Sequence, residues 1–148
     1  MIWKPNVTVA AVIERDGKFL LVEEETADGL MYNQPAGHLE DGESLFDGVV
    51  REVQEETAYR FRPDGLLGVY HWKHPARDIT YLRFAFVGEL GAHDAAQPLD
   101  TGIVRACWLS PDELRACADR HRSPQVLQCV EDYLAGQRFP LSTITHLP

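Results

Sequence analysis

The hydrophobic positions of this chain fall into short runs typical of strands and into longer stretches with helical spacing. Runs rich in β-branched and aliphatic residues predict a pair of strands at Val7–Glu14 and Lys18–Glu25, joined by the tight turn RDG. The runs GLLGVYHW and ITYLRFAFVGEL predict a second hairpin with the loop KHPARD, and IVRACWL predicts a further strand. Residues 26–35 contain a short strand or a loop, and residues 91–102 form a polar loop too long for a simple turn.

Three stretches carry the signature of helices. Between Ser44 and Thr57 the apolar residues share one broad arc at about 100° per residue, and this arc must face the core. The segments SPDEL and SPQVLQCVEDYLAG each begin with a cap, Ser110 and Ser123, followed by a proline suited to the first helical turn. Gly136 would stop the last helix. Helices interleaved with hairpins predict an α/β or α+β sandwich in which a mixed sheet packs between helices.

Three glutamates stand close together on the first of these helices. Glu52, Glu55 and Glu56 have spacings at which side chains are neighbours and like charges repel. Their arc borders the apolar arc, so the carboxylates are expected at the rim of the buried face rather than opposite it. Two interpretations remain open at this point: a solvated charged helix face, or a site for a hard cation such as Mg²⁺ or Mn²⁺.

Length and charge limit the class of partner. With 148 residues, the whole chain 1–148 is expected to form a single domain. A net charge of −9 argues against a nucleic-acid polymer or an anionic membrane as partner, but allows a small phosphorylated substrate bound through metal ions. No signal peptide and no bilayer-spanning stretch is present in the sequence, which predicts a cytoplasmic protein, either a monomer or a simple homo-oligomer.

The glutamates belong to a longer pattern. The segment GHLEDGESLFDGVVREVQEETAY resembles the Nudix box, Gly-x5-Glu-x7-Arg-Glu-U-x-Glu-Glu-x-Gly-U, in which U is a bulky apolar residue. Seven positions fall on the pattern: Gly37, Glu43, Arg51, Glu52, Val53, Glu55 and Glu56. The family's last glycine is replaced by Ala58, which must either accept a left-handed conformation or end the helix differently.

The resemblance implies a fold and a mechanism. Nudix enzymes are α/β/α sandwiches with a mixed sheet and a loop–helix–loop catalytic motif, and they cleave phosphoanhydride bonds with divalent cations. By position, three glutamates and the carbonyl of Gly37 would bind Mg²⁺ (or Mn²⁺): Glu52, Glu55 and Glu56. Either Glu52 or Glu55 would be the general base, with Glu52 favoured. Arg51 and Glu43 would brace the carboxylates and the loop.

Candidates outside the box are fewer. Asp100 would be the additional acidic residue that some family members recruit, or else a solvated loop residue; Asp94 is a weaker candidate. His71, Trp72, Tyr81 and Arg83 are candidates for substrate binding, through stacking on a ring or contact with phosphate. For Trp72 the alternative is core packing, and for Arg83 it is a structural ion pair.

Similarity outside the box narrows the expected substrate. The segments KPNVTVAAVIERDGKFLLVEE, NQPAGHLE, LRFAFVGEL and RSPQVLQCVEDYLAGQRFPLS resemble the NudJ-type phosphatases of bacteria. This subgroup implies release of orthophosphate from nucleoside tri- and diphosphates, and hydrolysis of hydroxymethylpyrimidine pyrophosphate and thiamine pyrophosphate. The alternatives are a Nudix pyrophosphatase for ADP-ribose, dinucleoside polyphosphates or oxidised nucleotides, or a silent ligand-sensing Nudix domain.

Overall fold

The structure is a computed structural model that describes all residues from 1 to 148. In chain order its elements are β1 (Asn6–Val12), β2 (Glu14–Arg15), β3 (Lys18–Thr26), β4 (Gly29–Asn33), β5 (Ala36–His38), α1 (Leu45–Thr57), β6 (Tyr59–Lys73), β7 (Thr80–His93), β8 (Ile103–Leu109), α2 (Pro111–Ala116) and α3 (Gln125–Leu134). Two short 3₁₀ turns lie at Ala118–Arg120 and Leu141–Thr143.

The strands form two sheets, and the helices pack on both sides of the first. That sheet has the order β5-β1-β7-β6, with β1 and β7 parallel and the other pairs antiparallel. Alternate residues of a strand face opposite ways, and in β1 Val9 packs in the cluster with Val53 of α1, whereas Val12 packs with Val130 of α3. This is the expected α/β sandwich with a mixed sheet.

The predicted first hairpin is largely wrong. Strand β1 pairs with β5 and β7, and only β2 pairs with β3, with Glu14 opposite Phe19. The chain passes from one sheet to the other at Ile13, and β3 continues in a second, antiparallel sheet with β4 and β8. Since β1 and β3 are both buried on two faces, their hydrophobic pattern does not specify which strand lies beside them. The second hairpin, β6–β7, is confirmed.

Helix α1 has the predicted limits. The Ser44 hydroxyl accepts a hydrogen bond from the Asp47 N–H at 3.0 Å, which satisfies one of the free donors of the first turn. At the other end Ala58 adopts the left-handed conformation, with φ 61°, and its N–H donates to the Gln54 carbonyl. The alanine therefore accepts the backbone strain that a glycine would avoid.

Two element boundaries, the start of α3 and the end of β7, differ from the prediction. Pro124 lies at the N-cap of α3, so that this helix begins one residue later than the Ser-Pro pattern predicted. The polar loop begins only after His93, because β7 extends further than its apolar core and pairs to its end with β6. None of the helices is long and apolar enough to cross a bilayer.

Candidate active site

A cavity of about 570 Å³ opens beside α1. Its wall is built by β4 and β5, by α1, by the ends of the β6–β7 hairpin and by the loop that precedes α3. It brings together most of the candidate residues predicted from the sequence: Gly37, Arg51, Glu52, Glu55, Glu56, Trp72, Tyr81, Arg83 and Asp100. Glu43 and His71 are not in its lining.

The three glutamates of α1 differ in their surroundings. Glu52 and Glu56 are buried, with 6% and 7% of their surface exposed, whereas the Glu55 side chain is 41% exposed. Burial raises the pKa of Glu56 to about 9, although the Ala36 N–H donates to its Oε1 at 2.9 Å. Burial also raises the pKa of Glu52. Water solvates a negative charge on these carboxylates poorly, so their ionised forms need a cation nearby.

Arg51 is the one cation within this cluster, and it is shared. Its Nη1 donates to Glu52 Oε1 at 2.8 Å and to Glu55 Oε2 at 3.2 Å. Its Nη2 and Nε donate to the two carboxylate oxygens of Glu43 at 2.7 and 3.0 Å. This bidentate contact lowers the pKa of Glu43, which also accepts the Glu40 N–H. Glu43 thus does not line the cavity itself, but it orients Arg51, which contacts Glu52 and Glu55.

Gly37 leaves the space that the Glu52 carboxylate occupies. A Cβ built on Gly37 would overlap all three carboxyl atoms of Glu52 inside 3.0 Å, a distance that real Cβ atoms essentially never show. Gly37 pairs with Val9 of β1, which fixes its backbone against α1. Any side chain at this position would therefore displace the Glu52 carboxylate, which lies at the flexible end of its side chain.

The donor set fits a hard divalent cation, but in this structure the donors are not preformed as a metal site. Carboxylate and carbonyl oxygens are the ligands that Mg²⁺ prefers. No group of three acidic, histidine or cysteine side chains is arranged to hold a metal ion. Arg51 Nη1 contacts one carboxylate oxygen of Glu52 and one of Glu55. The second oxygen of each carboxylate has no contact with Arg51 and would be available to a metal ion.

Of the two acidic candidates outside α1, only Asp100 lies at the cavity. Asp100 lines the cavity, its N–H donates to the Glu55 carbonyl at 2.9 Å, and its charge contributes to the raised pKa values of Glu52 and Glu56. Asp94 lies elsewhere: its N–H donates to the Ala58 carbonyl, at the end of α1. A backbone hydrogen bond between distant segments brings Asp100 to the cluster, and no local sequence pattern predicts this hydrogen bond.

An aromatic wall stands at the end of the β6–β7 hairpin. Trp72 and Tyr81 stack with ring centroids 5.8 Å apart and planes at 15°, and His74 lies 5.2 Å from Trp72. Trp72 and Tyr81 are opposite each other in the strand register, so both face the cavity. His71, one residue earlier, points the other way and is exposed. The structure therefore places Trp72 and Tyr81 at the site, in place of a core position for Trp72, and leaves His71 outside it.

Arg83 and the segment before α3 form the remaining wall. Arg83 is buried, 4% exposed, and takes part in none of the ion pairs of the structure, so the structural ion pair considered for it is absent. Sequence reasoning missed several lining residues: Asn33, Arg77, His121, Arg122, Ser123 and Gln125. Of these residues, the sequence pattern marked only Ser123, as the predicted start of a helix. That prediction does not indicate that this end of the helix faces the cavity.

Comparison with known proteins agrees with this geometry. The NUDIX domain model matches residues 3–129. Phosphatase NudJ of Escherichia coli (strain K12) is 40% identical over 142 residues, which are 96% of this chain and 92% of that protein. A NUDIX hydrolase from Nitrosomonas europaea has a similar structure, with a TM-score of 0.95, 54% identity and coverage of 97% of this chain and 98% of that one. The MutT NUDIX hydrolase from Burkholderia pseudomallei, at 20% identity and a TM-score of 0.74 over 88% of this chain and 98% of that one, shares the fold.

Proposed function

The chain belongs to the Nudix hydrolase family, whose members cleave phosphoanhydride bonds, and we propose that it is a Mg²⁺-dependent phosphatase that releases orthophosphate from nucleoside tri- and diphosphates. The observation that carries the proposal is the convergence of Glu52, Glu55 and Glu56 with Gly37 at one cavity. The 40% identity to a protein named as a phosphatase, over nearly the whole chain, supports this choice within the family. The subgroup also suggests thiamine-pathway pyrophosphates as substrates.

The box residues have distinct tasks in this proposal. Mg²⁺ held by the three glutamates and the Gly37 carbonyl would neutralise phosphate charge and lower the pKa of bound water. Glu52, the more buried of the two candidate bases, would accept the proton of the attacking water. Glu55 is the less buried alternative base.

Supporting residues hold this arrangement. Arg51 joins the Glu52 carboxylate to Glu43, whose second anchor is the Glu40 N–H of the preceding loop. The Ala36 N–H fixes Glu56 in the same way from β5. Asp100 adds a further carboxylate at the cavity and is proposed as a metal-facing residue. The aromatic pair Trp72 and Tyr81 offers flat apolar surface for the organic part of the substrate.

The test is phosphate release from a panel of substrates with Mg²⁺ or with EDTA. The panel contains nucleoside di- and triphosphates, hydroxymethylpyrimidine pyrophosphate, thiamine pyrophosphate, ADP-ribose, diadenosine polyphosphates and oxidised nucleotides. Metal-dependent orthophosphate from simple nucleotides is expected. Pyrophosphate as product, or cleavage of ADP-ribose or dinucleotides alone, would replace the phosphatase with a Nudix pyrophosphatase. No turnover by a folded protein that binds Mg²⁺ would favour a ligand sensor.

Substitution of the carboxylates tests their role. Glu55→Gln and Glu56→Gln keep the side-chain shape but remove a charge, and each should lower kcat by a factor of about 100 or more, the scale of a lost transition-state contact. Glu89→Gln is the matched control, because Glu89 lies on β7 in an exposed ion pair with Arg62. Near-normal turnover in both box variants would refute the assignment.

A further inference from the structure

Two buried polar atoms in the cavity wall have no hydrogen-bond partner. They are the Nε of Arg83, a donor, and the Oε1 of Gln125, an acceptor, and they are the only buried side-chain atoms of the chain in this condition. Arg83 is 4% exposed and Gln125 is 7% exposed, and both line the same cavity. An unsatisfied buried polar group is costly, at about 1–3 kcal/mol, so a bound group that satisfied both atoms would gain that free energy.

The other atoms of the Arg83 guanidinium are already engaged. Its Nη1 donates to Gln34 Oε1 at 2.7 Å, and its Nη2 donates to Asn33 Oδ1 at 2.8 Å. Both partners are neutral amides, and Gln34 is itself fixed by donating to the Val126 carbonyl at 2.8 Å. Nη1 and Nη2 thus each have an acceptor, and Nε is the guanidinium nitrogen that has none.

The amide of Gln125 lies against Ser123. Its Nε2 donates to the Ser123 hydroxyl at 3.2 Å, and its own backbone N–H donates to the same hydroxyl at 3.2 Å. This leaves Oε1 as the free atom. The chain of contacts from Arg83 through Gln34 to Val126 ends beside Gln125, so the free donor and the free acceptor belong to one connected wall.

This wall is separated from the carboxylates by the width of two strand spacings. Thr8 of β1 is opposite His38 of β5 on one side and opposite Arg83 of β7 on the other. Adjacent strands are about 4.8 Å apart, so the Arg83 backbone lies about 10 Å from that of His38, the residue next to Gly37. The cavity therefore has an acidic end for phosphates and metal, and a second end that offers one donor and one acceptor.

We propose that Arg83 and Gln125 form a recognition pair for a heterocyclic ring that carries a hydrogen-bond acceptor beside an amine or N–H donor. The Arg83 Nε–H donates to the ring acceptor, and Gln125 Oε1 accepts from the neighbouring amine. A phosphate fits this pair poorly, because the carbonyl oxygen of Gln125 repels phosphate oxygens. The inference rests on the proposed function, and it assigns to that function the residues that select the organic group.

The pair also accounts for a mixed substrate range. Adenine and cytosine both present a ring nitrogen beside an exocyclic amine, and an aminopyrimidine such as the hydroxymethylpyrimidine group does the same. One donor and one acceptor therefore recognise all three rings without distinguishing their size. Trp72 and Tyr81 provide a stacking surface in the same cavity that is equally tolerant of ring identity.

The test measures binding, not turnover, with ligand pairs that differ only in the amine. Isothermal titration in Mg²⁺ compares adenosine monophosphate with purine riboside monophosphate, and cytidine monophosphate with its analogue that lacks the 4-amino group. The variants are Arg83→Met, Gln125→Leu and Gln125→Glu, the last of which keeps an acceptor oxygen. The control is Gln128→Leu on the same helix, whose exposed side chain contacts only Asp132. Circular dichroism verifies that each variant is folded.

The expected result is an amine preference that depends on Gln125. In at least one pair the wild-type protein should bind the amine-bearing ligand about ten-fold more tightly, the value of one hydrogen bond at a buried acceptor. Gln125→Leu should abolish the preference, while Gln125→Glu and Gln128→Leu should retain it. Arg83→Met should weaken both members of the pair by about ten-fold, since both carry the ring acceptor.

Two results would overturn the inference: no amine preference in the wild type, or a preference that persists in Gln125→Leu. The outcome is independent of the hydrolysis assay. A preference without any Mg²⁺-dependent hydrolysis would refute the proposed phosphatase and leave the recognition pair standing. Hydrolysis without a preference would refute the pair alone.

Discussion

Replacing Gly37 with alanine is expected to remove most of the activity while leaving the fold intact. The added Cβ would lie inside 3.0 Å of all three carboxyl atoms of Glu52. The backbone of Gly37 is held in register with Val9, so the movement falls on the Glu52 side chain. To restore normal contact the carboxylate must shift by about 1 Å.

The size of the effect follows from that shift. A misplacement of about 1 Å at a catalytic group costs about 100-fold in rate, which is about 2.7 kcal/mol of activation free energy. Stability should change far less, because the flexible end of the Glu52 side chain can shift while the backbones of β5 and α1 keep their packing. The melting temperature should fall by less than about 4 °C, the effect of about 1 kcal/mol in a chain of this size.

The assay is kcat for a nucleoside triphosphate in saturating Mg²⁺, with the melting temperature measured on the same samples. Gly91→Ala is the matched control, because a Cβ there would meet only Arg60, its Cβ at 3.4 Å and its carbonyl oxygen at 3.9 Å, which are ordinary contacts. If Gly37→Ala keeps the wild-type kcat, catalysis does not depend on the Glu52 carboxylate lying in its present position next to Gly37. A fall in kcat accompanied by unfolding would show that the glycine is needed for the fold and not for the site.

Two further predictions concern stability. Mg²⁺ at about 100 times its dissociation constant should stabilise the protein by about 2.7 kcal/mol. EDTA should reverse this stabilisation, and Glu56→Gln should weaken it. Calorimetric melting measures the effect, and a melting temperature that Mg²⁺ leaves unchanged would contradict the prediction. Ser110→Ala should cost about 1 kcal/mol in urea unfolding, because it removes the hydroxyl that accepts the Glu113 N–H at 3.1 Å. Its kcat should stay normal, since α2 contributes no residue to the cavity; loss of activity would contradict that separation.

Local patterns were sufficient for the elements that depend on nearby residues. The limits of α1, the cap of α2 at Ser110 and the second hairpin were all predicted, because capping and short turns act over a few residues. The first hairpin failed for the opposite reason. The partner of β1 is β7, more than seventy residues later, and a strand buried on both faces carries no mark of which strand it joins.

The same division holds for the site. The sequence alone determined that Glu52, Glu55 and Glu56 share one helix face with Arg51 nearby, because helical spacing fixes neighbours within a turn. Only the tertiary structure decided that Asp100 reaches them, that Gly37 makes room for Glu52, and that Arg83 and Gln125 share a wall. These contacts join segments tens of residues apart, and they arise from the pairing of strands and the packing of α3, which no short stretch of sequence encodes.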